Sequence, residues 1–304
     1  MARGQGPDGL VVVDKAAGWT SHDVVARCRK LLGTRKVGHS GTLDPDATGL
    51  LLVGVGRVTR LLRFLTALPK SYTCEIVLGV ETSTLDASGE VTATHAMSVT
   101  PDEVAGAARA LTGEILQIPP MVSAVHVGGR RLHELAREGK EVERQPRPVT
   151  VWRFEVAATD DPLVYRASVT CSSGTYVRSL AADLGAALGG GAHLRALRRT
   201  AIGSFTEAEA VEVEQVGSEV LLSPAAALRD YPQLVVSPDV VADVRVGRVL
   251  ERDRLGVDGG GPWALVTPGG DLLAVYEAHR GATVKPAVVL AAAAPGSSDG
   301  PSHG

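Results

Sequence analysis

A chain of 304 residues, 44% hydrophobic and 21% charged, has enough apolar material for one large globular domain or two. Its longest apolar runs, such as Ala287–Ala294, are well short of a membrane span, and Met1–Asp8 is polar with no signal-peptide core, so a cytoplasmic protein is expected. The net charge of −3 argues against a generic polyanion binder, but it averages a gradient. Residues 1–70 hold 11 basic and 5 acidic side chains, whereas residues 201–304 hold 7 and 14. A basic face of this kind suits phosphate contact, and on charge alone it suits a solvated surface equally well. Cys28, Cys74 and Cys171 are widely spaced with no CxxC pair, which points to three free thiols and neither a zinc ribbon nor a disulfide framework.

In chain order, Leu10–Val13 reads as a buried strand and Asp14–Trp19 as a turn. Thr20 or Ser21 can cap a helix with Asp23 in its first turn. Val24, Val25, Cys28, Leu31 and Leu32 then share one face, with Arg27, Arg29 and Lys30 pointing away, and Gly33 ends the helix. Gly38–Gly49 is polar and glycine-rich but leads into the apolar run Leu50–Val55, a strand. That pattern predicts a polar loop held by core-facing elements, where reactive groups tend to sit. Asp44 is its candidate reactive acid, Pro45 biases the Asp44 backbone away from the helical region, and Gly41 permits close approach or a positive φ.

Arg57–Leu68 reads as a helix with Leu61, Leu62 and Leu65 inward and Arg57, Arg60 and Arg63 outward. Lys70–Leu78 roughly alternates, as a half-buried strand does, and Thr82–Gly89 is a polar loop. Pro101–Leu111 is a helix capped by Thr100. A basic arm follows, with seven Lys and Arg between Arg130 and Arg153. Thr150–Val156 and Tyr165–Cys171 are strands, Tyr176–Leu188 a helix stopped by Gly189–Gly191, and His193–Arg199 carries Arg195, Arg198 and Arg199. Pro232–Pro238 marks a boundary, Val240–Glu277 suggests short strands and glycine-rich turns, and from Ala291 the chain has too little apolar surface to fold. The strand–helix alternation is too irregular for a doubly wound parallel sheet and favours an α+β fold with a mixed, largely antiparallel sheet flanked by helices.

Asp44, Tyr72 and Arg178 form the candidate constellation. A loop aspartate can act as nucleophile or base. A neighbouring arginine would lower its pKa by about 1–3 units and hold it ionised. Tyr72 offers a flat face for a base and a phenol for proton transfer.

The ordered set Gly9–Ser21, Gly38–Gly49, Lys70-Ser71-Tyr72, Gly174–Leu180 and Gly191–Thr200 resembles the TruB family of tRNA pseudouridine synthases over roughly residues 9–205, with Gly-His-Ser-Gly-Thr-Leu-Asp-Pro its most specific segment. The resemblance implies that Asp44 is the catalytic aspartate, that Tyr72 stacks on the target uracil, and that Arg178 pairs with Asp44. It further implies that Leu197 lines the uracil pocket, that His39 contacts the RNA loop, and that Lys15, with Gly41, supports the site. Arg130, Arg131, Lys140, Arg195, Arg198 and Arg199 are candidates for RNA contact. The implied layout is a flexible tail over 1–8, a catalytic domain over 9–230 with an inserted arm at about 119–148, a PUA-like RNA-binding module over 231–290 and a disordered tail over 291–304. The implied reaction isomerises uridine 55 in the T-loop of tRNA, with the T-arm stem-loop as partner and no metal, cofactor or obligate protein partner. Lys15-Ala16-Ala17-Gly18 departs from the family's Lys-Pro-x-Gly, and His126 and His133 stand where a lysine and an aromatic are common. Three rivals remain. One is a non-catalytic RNA binder. A second is a guide-RNA-dependent relative, disfavoured because this chain carries its own basic arm. The third is a haloacid-dehalogenase-like phosphatase, since Asp44-Pro45-Asp46-Ala47-Thr48 fits Asp-x-Asp-x-Thr and Asp160-Asp161 could supply a magnesium site.

Overall fold

The structure is a computed structural model that describes residues 6–121 and 142–290, together with the backbone of 126–127 and 130–131. Its first part runs β1 (Gly9–Lys15), α1 (Ser21–Leu31), β2 (Val37–Ser40), β3 (Thr48–Val55), α2 (Leu62–Ala67), β4 (Lys70–Leu78), β5 (Val80–Thr82), β6 (Val91–Thr94), α3 (Pro101–Ala110) and β7 (Gly113–Gln117). A short ribbon, β8 (His126–Val127) and β9 (Arg130–Arg131), precedes β10 (Arg147–Ala158), β11 (Val164–Cys171), α4 (Val177–Ala187), β12 (Ala192–Ile202), β13 (Phe205–Thr206) and β14 (Val211–Glu212). The final part holds β15 (Gln233–Val235), α5 (Pro238–Arg245), β16 (Leu250–Glu251), β17 (Trp263–Val266), β18 (Leu272–Ala278) and β19 (Thr283–Val289).

The central sheet is mixed and largely antiparallel, in the order β14-β1-β3-β12-β4-β11-β10-β7, with β2 paired to β3 and β13 to β12. This is the α+β architecture expected from the sequence. The arm is inserted between β7 and β10, two strands that pair antiparallel. The continuous apolar runs of β1 and β3 follow from burial on both faces. Leu10, Val12, Leu50 and Leu52 face one core with Phe64 and Leu65. Val11, Val13, Leu51 and Val53 face another beneath Val24, Val25 and Cys28 of α1.

A second, five-stranded sheet, β15-β17-β18-β19-β16, is likewise covered on both faces. Trp263 and Leu265 pack under Val240 and Val244 of α5. Ala264 and Val266 pack into the core shared with β1 and β3. The α5 segment differs from the short strands expected there: Pro238 at the start and Val240 and Val244 one turn apart suit a helix that covers a sheet. Two other elements differ. Val37–Ser40, read as loop, is a strand because His39 and Gly38 pair with Val53 and Gly54. Arg57–Leu68 opens with a 3₁₀ turn over Gly56–Leu61 before the α-helix.

The junction that places the site is the short parallel contact of β3 with β12, where Arg198 faces Thr48 and Arg199 faces Gly49. Gly49 has φ +98°, and a Cβ there would lie 2.2 Å from the Arg199 carbonyl oxygen. Only glycine lets the two backbones approach this closely.

Candidate active site

The loop Gly41–Ala47 leaves β2 and returns into β3, and its shape is fixed from below. Thr20 caps α1 in a reciprocal box with Asp23. This leaves Ser21 free to take the Leu43 N–H at 2.9 Å and to donate to the Leu43 carbonyl at 3.2 Å. Lys15, with no exposed surface, donates to the carbonyls of Ala16, Trp19 and Pro45 at 3.0, 2.7 and 2.8 Å. Gly18 N–H also reaches Pro45 O. The departing turn Lys15–Gly18 is therefore tied by its lysine to the carbonyl of Pro45, the residue after Asp44. Burial lowers the Lys15 ammonium to about 8 against the pull of Asp46 and Asp44.

Arg178 enters from the second position of α4. Tyr176, the residue that starts the helix, is held by Gln117, which accepts from Tyr176 N–H at 2.7 Å and donates to Tyr176 O at 3.0 Å. Arg178 Nε lies 3.0 Å from Asp44 Oδ2, and Nη2 donates to Asp44 Oδ1 at 3.3 Å, a two-point fork. Its Nη1 donates to Thr84 O at 3.0 Å and lies 3.3 Å from Asp86 Oδ2. Asp86 is a site residue that the sequence reading missed. Its signal is a repeated tripeptide, Thr42-Leu43-Asp44 and Thr84-Leu85-Asp86, and both aspartates meet the same arginine. Thr84 Oγ1 and Ser88 Oγ each donate to Asp86 Oδ1 at 2.6 Å.

A cleft of about 280 Å³ is lined by Thr42–Asp44, Tyr72, Gly174–Arg178, Leu197, Lys70 and Arg199. Tyr72 of β4 and Leu197 of β12 thus share it with Asp44 and Arg178. A second cleft of about 520 Å³ lies on the far side of Asp44, against Asp86 and Leu194–Leu197. Burial raises the Asp44 carboxyl above its ordinary value of 3.8, with Asp86 adding to the rise and Arg178 opposing it. Arg178 lowers the carboxyl in the direction expected from the sequence, and desolvation, which the sequence does not show, outweighs the ion pair.

His39 lies in β2, half-buried, its ring edge-on to His22 at 5.5 Å. Burial pushes it down to about 4, and its Nδ1 is buried without a hydrogen-bond partner among the described residues. It is therefore a neutral imidazole at neutral pH.

Of the RNA-contact candidates, Arg199 is misplaced by the sequence reading. It is 1% exposed, donating through Nε to Leu50 O at 2.7 Å and through Nη2 to Gly41 O at 3.2 Å. Tyr72 is its cross-strand partner on β4, and both line the same cleft. Arg198 grips Asp14 at 2.7 and 3.1 Å and also pairs with Glu207. Arg195 stays half-exposed and pairs with Glu75 at 2.9 Å. Arg130 and Arg131 form β9, and Lys140 lies outside the described residues. The basic surplus of residues 1–70 is spent partly inside the molecule as well. Arg27 pairs with Glu214, Arg57 donates to Leu290 O, Arg60 to Val289 O, and Arg63 pairs with Glu277.

The phosphatase rival loses its geometry. Its aspartate should follow a buried strand of a parallel sheet, whereas β2 pairs antiparallel beside the main strand path. Asp161 caps its own turn between β10 and β11, accepting from Leu163 N–H.

Comparison with known proteins gives one answer. The family profile described as "TruB family pseudouridylate synthase (N terminal domain)" matches residues 29–177, and that of the "tRNA pseudouridylate synthase B C-terminal domain" matches 178–238. Proteins named tRNA pseudouridine synthase B from Rhodococcus jostii and Thermobifida fusca are 50% and 47% identical, over 93% of this chain in each case and over 93% and 99% of those relatives. Among solved structures, the "Crystal Structure of a Cbf5-Nop10-Gar1 Complex" is similar at 27% identity with a TM-score of 0.74, over 93% of this chain and 85% of that one.

Proposed function

The chain belongs to the TruB family of pseudouridine synthases, and from that premise we propose that it converts uridine 55 in the T-loop of tRNA to pseudouridine, with Asp44 as its essential carboxylate. The observation that carries this reading is the fork of Arg178 on Asp44 in a cleft shared with Tyr72 and Leu197. Extruding a base from a folded loop costs on the order of a few kcal/mol. Stacking on the Tyr72 ring returns roughly 1–3 kcal/mol, and Leu197 closes the pocket. With the base held there, Asp44 can add to the sugar, add to the base or remove a ribose proton. Each route needs the carboxylate, which the two-point contact with Arg178 orients and keeps available despite burial. His39, neutral and on the strand leading to the loop, contacts the RNA bases displaced with the target. Arg130, Arg131 and Lys140 of the arm grip the stem phosphates, and the second sheet acts as a PUA-like RNA-binding module. The catalytic domain spans 9–230 and the module 231–290. The protein works in the cytoplasm on tRNA without an obligate protein partner. No helix among the described residues is long and apolar enough to cross a membrane.

The test uses a T-arm stem-loop tritiated at C5 of the target uridine. Wild type releases tritium. Asp44→Asn binds the same RNA and releases none. Equal release by both would remove Asp44 from the mechanism, and binding without release by wild type would favour a non-catalytic RNA binder.

A further inference from the structure

The cleft contains two buried cations that the mechanism above leaves unused. Arg199 is 1% exposed and Lys70 5%. Both line the same cavity as Tyr72 and Asp44. Burying a cation is costly unless it is paired. The neighbouring arginines follow that rule: Arg178 meets two carboxylates, and so does Arg198. Arg199 and Lys70 do not. Among the described residues no carboxylate forms an ion pair with either; Arg199 holds the carbonyls of Leu50 and Gly41, and Lys70 those of Leu68 and Thr66. Burial, and after it the charge of Arg199, push the Lys70 ammonium down to about 8. They lie on the Tyr72 side of the cleft: Lys70 is two residues before Tyr72 on β4, and Arg199 is the cross-strand partner of Tyr72 on β12. The Arg199 tie to Gly41 O also joins this floor to the loop that carries Asp44.

We propose that Arg199 and Lys70 form a fixed positive floor behind Tyr72 that stabilises the negative charge of the uracil while it is detached from the sugar. This rests on the pseudouridine-forming reading and adds to it the place where the charge goes. When the C1′–N1 bond breaks, the bonding pair stays with the base and spreads over N1, O2 and O4. This holds whether Asp44 bonds to C1′ or takes the ribose proton. After the base rotates, C5 supplies the pair that forms the C1′–C5 bond, as the Asp44–C1′ bond breaks and frees the carboxylate or as the C1′=C2′ double bond takes the ribose proton back from Asp44 onto C2′. The C5 proton then leaves to solvent, N1 takes a proton, and the base is neutral again. Arg178 is a poor source of stabilisation for that transient charge, because its own is divided between Asp44 and Asp86. Arg199 and Lys70 are positioned, uncompensated and already desolvated, so they need no reorganisation at the moment of cleavage. Neither has to touch the base. Arg199 is a positioning residue that acts through the Tyr72 ring and through its charge.

The experiment compares wild type, Arg199→Lys, Arg199→Gln and Lys70→Gln by single-turnover rate and by affinity. The substrates are T-arm stem-loops with uridine or 5-fluorouridine at the target, since fluorine stabilises the base anion and lessens the need for a positive floor. Arg199→Gln and Lys70→Gln are expected to slow uridine conversion roughly 10²-fold, as loss of a preorganised oxyanion donor does, with RNA affinity within about three-fold of wild type. Arg199→Lys recovers most of the rate. The penalty for breaking the glycosidic bond of 5-fluorouridine is about a tenth of that for uridine. Equal penalties on both bases, or no recovery by Arg199→Lys, would mean that the two residues only brace the fold, and the proposal is lost. Lys70→Gln leaves the carbonyl ties of Arg199 intact, so its ratio between the two bases decides the matter even where Arg199→Gln does not fold. Wild type that acts on neither base overturns the pseudouridine reading and this inference with it, a result seen before any variant is made.

Discussion

Asp86 holds Nη1 of Arg178 at 3.3 Å while Asp44 holds Nε at 3.0 Å, so one buried guanidinium is divided between two carboxylates from loops on different strands. Asp44 is thereby positioned by an arginine that is itself positioned, and Asp86 raises the Asp44 carboxyl as Arg178 lowers it.

Asp86→Asn is therefore expected to have two separable effects. The rate at neutral pH falls about ten-fold, because Arg178 loses half of its clasp and the near-attack geometry loosens. The acid limb of the rate profile moves to lower pH, because one source of the raised Asp44 carboxyl is gone. Single-turnover rates on a T-arm stem-loop between pH 4 and 8 measure both, and a slower enzyme with an unmoved limb would refute the electrostatic half.

For wild type, the same profile has a fixed sign. On the proposed mechanism the reaction needs Asp44 ionised, and burial raises its carboxyl above the ordinary 3.8. Activity is therefore lost on acidification at a higher pH than a free aspartate would set. Arg178→Met removes the opposing charge, moves that loss to still higher pH, and lowers the neutral-pH rate by about 10²-fold or more. An acid limb at or below the ordinary aspartate value would contradict the raised carboxyl.

Gly49→Ala tests the β3–β12 junction. Its Cβ would lie 2.2 Å from Arg199 O on a backbone with φ +98°. The parallel contact must open, at a cost of about 3 kcal/mol or more. Denaturant unfolding reads this directly. A variant within about 0.5 kcal/mol of wild type would show that the junction yields without strain.

Arg57→Ala with Arg60→Ala should loosen the second sheet from the first. Each arginine donates to a carbonyl at the end of β19, at 2.7 and 2.6 Å. Partial exposure limits each tie to about 1 kcal/mol. The expected result is earlier unfolding by a small increment and faster proteolysis near Leu290, with little change in the rate on an isolated stem-loop. A large loss of rate instead would mean that the second sheet shapes the cleft.

Local chemistry made much of the fold legible. The Thr20–Asp23 and Thr100–Glu103 boxes announce α1 and α3, and alternation in Lys70–Leu78 announces β4. The Gly38–Gly49 segment announces the site because its glycines are needed where backbones touch. Other features depended on partners far along the chain. Val37–Ser40 is polar enough to read as a loop and becomes a strand only beside β3. Val240–Val244 is apolar enough for strand or helix and becomes a helix because a sheet already lies beneath it.

The charges show the same division. By itself the sequence determined the family and the order of most elements and singled out Asp44 as the candidate acid, since these rest on residue type and short-range spacing. Tertiary structure alone decided what each arginine does. Arg199 lies buried in the cleft wall, Arg198 is an ion-pair hub, and Arg57 and Arg60 are ties between two sheets, although in the sequence the first two look like RNA-contact cations and the last two like outward-facing ones. The cause is physical: the energy of a guanidinium is set by the acceptors within a few ångström and by how much water remains, and neither is a property of its neighbours in the chain.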